Sequence, residues 1–111
     1  MRKIKFRGKS LQTGEWFYGN LWDLDTKGRT HIGTIHKACL CIDPETVGQF
    51  TGVYDKNKKE LYEHDLVKCN GILCEVVYND HIGSFVLLEV LTQNIGNKPI
   101  GQMIDMFFHR I

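Results

Sequence analysis

Apolar and polar residues alternate along much of the chain with the period of two that β-strands show, while helical spacing is rare. In the first such segment Ile4 and Phe6 alternate with basic residues, which predicts a half-buried strand with a basic outer face. An aromatic-rich segment at 16–22 follows a Gln-Thr-Gly sequence, in which Gly14 can adopt the positive φ of a tight turn. Residues 4–22 are therefore predicted to form a β-hairpin.

Short strand-like segments separated by turn residues continue to the C-terminal part of the chain. Asn70-Gly71 is the clearest turn, because both residues tolerate the positive φ of a type I′ β-hairpin. The flanking segments 65–69 and 72–78 should then pair as antiparallel strands. Residues 84–90 are apolar on both faces of a strand and need to be covered on both.

Many short strands joined by tight turns predict a mainly β protein with little helix, in the form of a small, strongly bent sheet or barrel. The pattern becomes more regular after Pro44. We therefore divide the chain into an N-terminal lobe at 1–50, built as a β-hairpin or meander, and a small barrel lobe at 51–111. The final segment 101–111 is compatible with a short helix or a strand, and we favour a closing strand.

Composition is that of a globular domain, with 42% apolar and 24% charged residues in a chain of 111. The net charge of +1 gives the molecule as a whole no strong attraction for nucleic acid or membranes. The first nine residues, however, contain five basic groups and no acid. No apolar run approaches the roughly 20 residues of a membrane-spanning helix, and no apolar stretch follows the basic start as in a secretory signal. We expect a cytoplasmic protein without a membrane partner.

The cysteines do not have the spacing of a zinc site. They are Cys39, Cys41, Cys69 and Cys74. Their C-x-C and C-x4-C spacings differ from the paired C-x2-C pattern of zinc-binding knuckles. Cys74 also lies in strand phase with the apolar Val76, as expected for a buried thiol that fills space in a core. We therefore predict no metal and no other cofactor.

The acid-rich segment 52–67, GVYDKNKKELYEHDLV, suits either a catalytic site or a structural turn. Carboxylates around a histidine could bind a metal or transfer protons if their side chains converged. In an extended strand, however, Glu63 and Asp65 share one face while His64 points to the other. Asp side chains stabilise turns by accepting backbone N–H groups, and histidine is enriched at positive φ. We favour a structural turn made by Tyr62, Glu63, His64 and Asp65.

This segment and the residues before it, VGQFTGVYDKNKKELYEHDLV, resemble the central motif of the YopX-like family of phage and prophage proteins, typically Q-[YF]-T-G-L-x-D-K-N-G-K-x-I-Y-E-G-D-I-V. The start MRKIKFRGK resembles that family's MREIKFRAW, and MIDMFF is weakly similar to its VIGNIY. The matching central residues are Gln49, Phe50, Thr51, Gly52, Asp55, Lys56, Asn57, Lys59, Tyr62, Glu63, Asp65 and Val67. Lys58 and His64 stand where the family usually has glycine, which predicts a strained or left-handed backbone at His64.

The resemblance implies a mainly β protein of phage or prophage origin in a bacterial host. It implies that the second half is an SH3-like barrel, entered by the turn at 62–67. It implies no reaction, because the family has no established activity and SH3-like barrels host many unrelated functions.

The sequence contains no nucleophile motif, phosphate-binding glycine loop or convincing metal spacing, so we do not expect an enzyme and assign no catalytic residue. We favour a non-catalytic binding or assembly module. The two-faced apolar strand at 84–90 and the apolar C-terminal segment predict a homo-oligomer, most simply a two-fold dimer. The candidate interface residues are Phe85, Leu87, Met106, Phe107 and Phe108.

Nucleic-acid binding is the alternative function, since basic residues interleaved with aromatics suit single strands. The candidate contacts are Lys3, Lys5, Arg7, Lys56, Lys58 and Lys59. The near-neutral charge argues against this function, because nucleic-acid-binding domains are usually more basic. A solvated strand face and a polar loop tip explain the same residues.

Overall fold

A computed structural model describes residues 3–22, 30–34, 37–103 and 108–110. The chain divides into two compact units, Met1–Phe50 and Thr51–Ile111. Regular structure in the described residues consists of ten β-strands and two short 3₁₀ segments. The prediction of a mainly β fold with little helix is confirmed. None of the helical segments in this part of the chain is long enough and apolar enough to cross a membrane.

The first unit contains an antiparallel sheet with strand order β4-β3-β2-β1-β5. Its strands are β1 (Phe6–Lys9), β2 (Trp16–Trp22), β3 (Thr30–Thr34), β4 (Lys37–Ile42) and the first residues of β5 (Gly48–Tyr54). A 3₁₀ turn at Pro44–Thr46 separates β4 from β5. The predicted hairpin is present, since β1 pairs with β2 and Gly14 in the intervening turn has a φ of 73°.

The centre of strand β1 is buried on both faces, so the prediction of a basic outer face is wrong at Arg7, while Lys3 before the strand and Lys9 at its end are exposed. Arg7 is only 4% exposed, and a β-carbon on Gly8, which faces the other side, would clash with Cγ2 of Ile42. Ile4, predicted to point inward, is 61% exposed. Arg7 is covered because the ring of Trp16, on β2, lies against its guanidinium.

The second unit contains a four-stranded antiparallel sheet with strand order β10-β7-β8-β9. Its strands are β7 (Leu66–Cys69), β8 (Ile72–Asn79), β9 (Ser84–Glu89) and β10 (Phe108–Arg110). A shorter strand, β6 (Glu60–Tyr62), lies beside the end of β5. Asn70 and Gly71 join β7 to β8 with φ values of 52° and 82°, as predicted for a type I′ turn. These antiparallel strands are compatible with an SH3-like barrel.

The C-terminal segment includes both of the structures considered for it. Ile100–Met103 forms a 3₁₀ segment, and β10 pairs with β7 as the edge strand of the four-stranded sheet. The intervening residues 104–107, which include Met106 and Phe107, lie outside the described residues.

The core of the second unit combines residues from β6, β7, β8, β9 and the 3₁₀ segment. Its buried members are Leu61, Val67, Cys69, Cys74, Val76, Leu87 and Ile100. Val86 and Leu87, which point to opposite faces of β9, are 0% and 7% exposed. A single chain therefore covers both faces of β9, and that strand by itself gives no reason for a second subunit.

Candidate functional site

Asp55 stabilises the turn between β5 and β6 through backbone hydrogen bonds. Its carbonyl accepts the N–H of Lys58 at 2.9 Å, and its Oδ1 accepts the N–H groups of Asn57 and Lys59, each at 2.8 Å. Lys58 has a φ of 63°, as expected for the left-handed residue after a type I turn in a three-residue hairpin loop. Asp55 is 5% exposed, so its carboxylate is part of the turn and is not presented to solvent.

A second turn, between β6 and β7, is made by Tyr62, Glu63, His64 and Asp65. The N–H of Asp65 donates to the carbonyl of Tyr62 at 3.0 Å, and the N–H of Tyr62 donates to Asp65 Oδ2 at 2.8 Å. His64 occupies the third position with a φ of 76°, which is the position that favours glycine in a type II turn. The left-handed backbone predicted for His64 is confirmed.

This second turn is also bonded to strand β8. The N–H of His64 donates to the carbonyl of Val76 at 2.7 Å, and the N–H of Val76 donates to the carbonyl of Asp65 at 2.9 Å. His64 Nδ1 lies 3.0 Å from Glu75 Oε2, with both side chains partly exposed. Among the described residues, no three His, Cys, Asp or Glu side chains are grouped so as to hold a metal ion. The geometry of the acid-rich segment indicates a structural role.

Basic side chains of the first unit lie on aromatic rings. The Arg7 guanidinium carbon is 4.2 Å from the Trp16 ring centroid, and Lys9 Nζ is 5.1 Å from the same centroid. Lys5 Nζ lies 5.4 Å from the Phe50 centroid. These distances are typical of cation–π interactions. Because Arg7 is buried against Trp16, its guanidinium is not presented to a phosphate.

The remaining candidate nucleic-acid contacts are on the surface. Lys3 is exposed before β1 in the first unit. Lys56, Lys58 and Lys59 are exposed in the Asp55 turn of the second unit. Exposure permits contact with phosphate but is the ordinary state of lysine, so it does not by itself favour nucleic-acid binding.

The candidate interface residues of β9 point into the second unit. Phe85 is partly buried against the core, and its ring meets that of Tyr78 edge-to-face at a centroid distance of 5.2 Å. Leu87 is a core residue. Phe108 is placed in β10 opposite Cys69. The surfaces of Phe85 and Leu87 are therefore largely engaged within one chain.

An apolar cavity of about 350 Å³ opens from the core of the second unit. Three of its lining residues, Cys69, Cys74 and Leu87, are buried members of that core. Two others, Ile72 and Ile95, are 49% and 54% exposed. The core is thus open to the surface on this side. The volume of the cavity lies in the range of roughly 300–1,000 Å³ found for binding pockets.

The two thiols of this cavity have raised pKa values. Burial raises the pKa of the Cys69 thiol, and it also raises the pKa of the Cys74 thiol, with smaller contributions from Cys69 and Glu89. Since the thiolate is the reactive form, a raised pKa lowers the reactive fraction of both groups at neutral pH.

Opposite charges lie at the polar part of the lining. The remaining lining residues are Asn70, Glu89, Asn94, Gly96, Asn97, Lys98 and Met103. Glu89 supplies a carboxylate and Lys98 an ammonium group, and Lys98 is exposed. An apolar occupant with neighbouring charged groups of both signs would match this lining.

A tight turn rises from the wall of the cavity. Its two ends, Glu89 and Asn94, line the cavity, and the N–H of Glu89 donates to the carbonyl of Asn94 at 2.9 Å. The N–H of Gln93 donates to the Glu89 carbonyl at 2.8 Å, and Gln93 has a φ of 59°. Leu91, within this turn, is 92% exposed. The sequence predicted a loop at 92–99 but not the cavity, for which the available sign was a leucine beside the polar residues TQN.

The family model of the YopX protein matches residues 5–103, which is most of the chain. The chain therefore belongs to the YopX protein family, as the resemblance of its central motif implied. A comparison with curated proteins finds no match.

Proposed function

We propose that this YopX-family protein is a non-catalytic assembly module of a phage or prophage, which acts in the bacterial cytoplasm as a homo-oligomer, most simply a two-fold dimer. The observation that carries the proposal is the core of the second unit, which opens through an apolar cavity between the half-exposed Ile72 and Ile95. A mainly apolar cavity of this volume with a few polar groups in its lining is typical of a binding site.

The chemistry of the same unit supports binding in preference to catalysis. Asp55 and Asp65 are buried and accept backbone N–H groups. Burial raises the pKa of both cavity thiols and so disfavours the thiolate. A general acid–base pair or an activated nucleophile needs converging groups with favourable pKa values, and these residues do not provide one.

Nucleic-acid binding has less support. It would require basic groups free to approach phosphates along β1, and Arg7 is buried on Trp16. A salt series with a short single-stranded oligonucleotide tests this alternative. Retention that falls steeply with salt would favour it over assembly, because phosphate contacts release counterions.

Size-exclusion chromatography with light scattering of the full chain at micromolar concentration tests the assembly function. We expect a mass above the 12.8 kDa of one chain, with twice that value for the dimer. A mass of one chain throughout this concentration range would contradict the proposal.

A further inference from the structure

We infer that the cavity of the second unit receives Leu91 from a second copy of the chain, in a reciprocal contact across a two-fold axis. This inference rests on the proposed self-association and identifies the surface that would produce it.

Leu91 and the cavity are complementary in shape and polarity. A leucine that is 92% exposed is an apolar side chain without cover in the isolated chain. The cavity offers an apolar floor of Cys69, Cys74 and Leu87 and is open to the surface. A branched aliphatic side chain without polar atoms can enter this floor without leaving a buried hydrogen-bonding group unsatisfied.

The arrangement of these features specifies a second copy as the occupant. A two-fold interface uses the same patch on both chains, so that patch must contain both halves of each contact. Leu91 belongs to the turn whose ends, Glu89 and Asn94, line the cavity, so the inserted residue and its receptor lie side by side in one unit. Each Leu91 can then occupy the cavity of the other chain.

Charge complementarity supports the same occupant. Glu89 and Lys98 both line the cavity and carry opposite charges. A two-fold contact that brings Glu89 of one chain to Lys98 of the other would form this opposite-charge pair twice. A surface with charge of only one sign would repel its own copy, whereas a lining with one acid and one base can pair with its own copy.

Sedimentation equilibrium of Leu91→Asp tests the contact. Each chain would place a carboxylate in the apolar cavity of the other, and we expect the dimer dissociation constant to rise by about 100-fold or more. The matched control is Ile82→Asp, because Ile82 is 41% exposed in the turn at the opposite end of β9. The control should retain the dimer, and the thermal unfolding of both variants shows whether each is folded.

A charge exchange tests the two-fold pairing independently. Glu89→Lys and Lys98→Glu should each weaken the dimer, because each creates two like-charged contacts. An equimolar mixture should associate more tightly than either variant alone, since the mixed dimer restores both opposite-charge contacts. Glu89 Oε2 also accepts the Thr92 hydroxyl at 3.1 Å within the chain, and loss of that bond cannot produce recovery on mixing.

The outcomes separate this contact from the proposed function. If the unaltered chain is a dimer and Leu91→Asp is an equally tight dimer, self-association stands and the Leu91 contact is wrong. If mixing the two charge variants gives no recovery, the two-fold pairing is wrong. If the unaltered chain is monomeric, both the assembly function and this contact are wrong.

Discussion

Tyr62 and Asp65 bind each other twice. The backbone N–H of Asp65 donates to the Tyr62 carbonyl at 3.0 Å, while the N–H of Tyr62 donates to the Asp65 carboxylate at 2.8 Å. Tyr62 is 0% exposed and Asp65 is 6% exposed, so both bonds are removed from water. Asp65, which lies in a segment rich in titratable residues, thus stabilises the backbone at the point where the chain enters β7.

Asp65→Ala should lower the free energy of unfolding by about 1–3 kcal/mol, because it leaves the buried N–H of Tyr62 without its carboxylate partner. Chemical denaturation measures this loss. The control is Asp80→Ala, since Asp80 is exposed in the turn after β8 and should change stability little. Equal effects of the two substitutions would show that the Asp65 bond does not stabilise the turn.

His64→Gly should leave stability unchanged or raise it by up to about 1 kcal/mol, because glycine removes the cost of positive φ at that position. The substitution also removes the contact with Glu75, but an exposed pair contributes only about 0–1 kcal/mol.

His64→Ala separates these two effects. Alanine retains the cost of positive φ and loses the contact with Glu75, so its unfolding midpoint should fall below that of the parent. A clear drop for His64→Gly would show instead that the imidazole makes a necessary contact.

Gly8→Ala should lower the stability of the first unit by about 1–3 kcal/mol through overpacking. The new β-carbon would clash with Ile42 Cγ2 and lie 3.2 Å from Ile32 Cδ1, and both isoleucines are almost fully buried. Gly101→Ala is the control, since its β-carbon would be 3.8 Å from Val53 Cγ2, an ordinary contact. If Gly8→Ala unfolds at the same temperature as the parent, the close approach of β1 to Ile32 and Ile42 is contradicted.

Cys69 and Cys74 should be alkylated slowly in the native protein, because burial raises their pKa values above the usual 9.0 and suppresses the thiolate. Peptide mapping by mass spectrometry, with and without denaturant, measures the two rates. Native rates equal to the denatured ones would show that the thiols are not buried.

These two thiols also give stability a pH dependence. A raised folded pKa means that the native state retains protons that the unfolded chain releases near pH 9.0. Their contribution is complete below that pH and is lost as pH rises through the folded pKa values, so stability should decrease on the alkaline side. Replacing both thiols by alanine should remove this part of the decrease.

Local turn chemistry was predictable from the sequence. Gly14, Asn70 and Gly71 adopt the positive φ values expected of them, and so does His64. Each of these conformations depends on a few neighbouring residues. The alternation of apolar and polar residues likewise predicted the strands, since strand phase is a property of consecutive positions.

Features that depend on distant pairing were not predictable. The burial of Arg7 follows from the position of Trp16 on the next strand, which alternation within β1 does not reveal. The cavity depends on the segment after β9 folding back, with the N–H of Gly96 bonded to the Leu87 carbonyl at 2.8 Å. Only this arrangement places the turn that contains Leu91 beside the cavity.

Sedimentation equilibrium of the unaltered full chain, over a dilution series downward from micromolar concentration, tests self-association most directly. The expected result is a reversible transition from twice 12.8 kDa to 12.8 kDa on dilution. A single mass of 12.8 kDa at every concentration would contradict the assembly function and the Leu91 contact together.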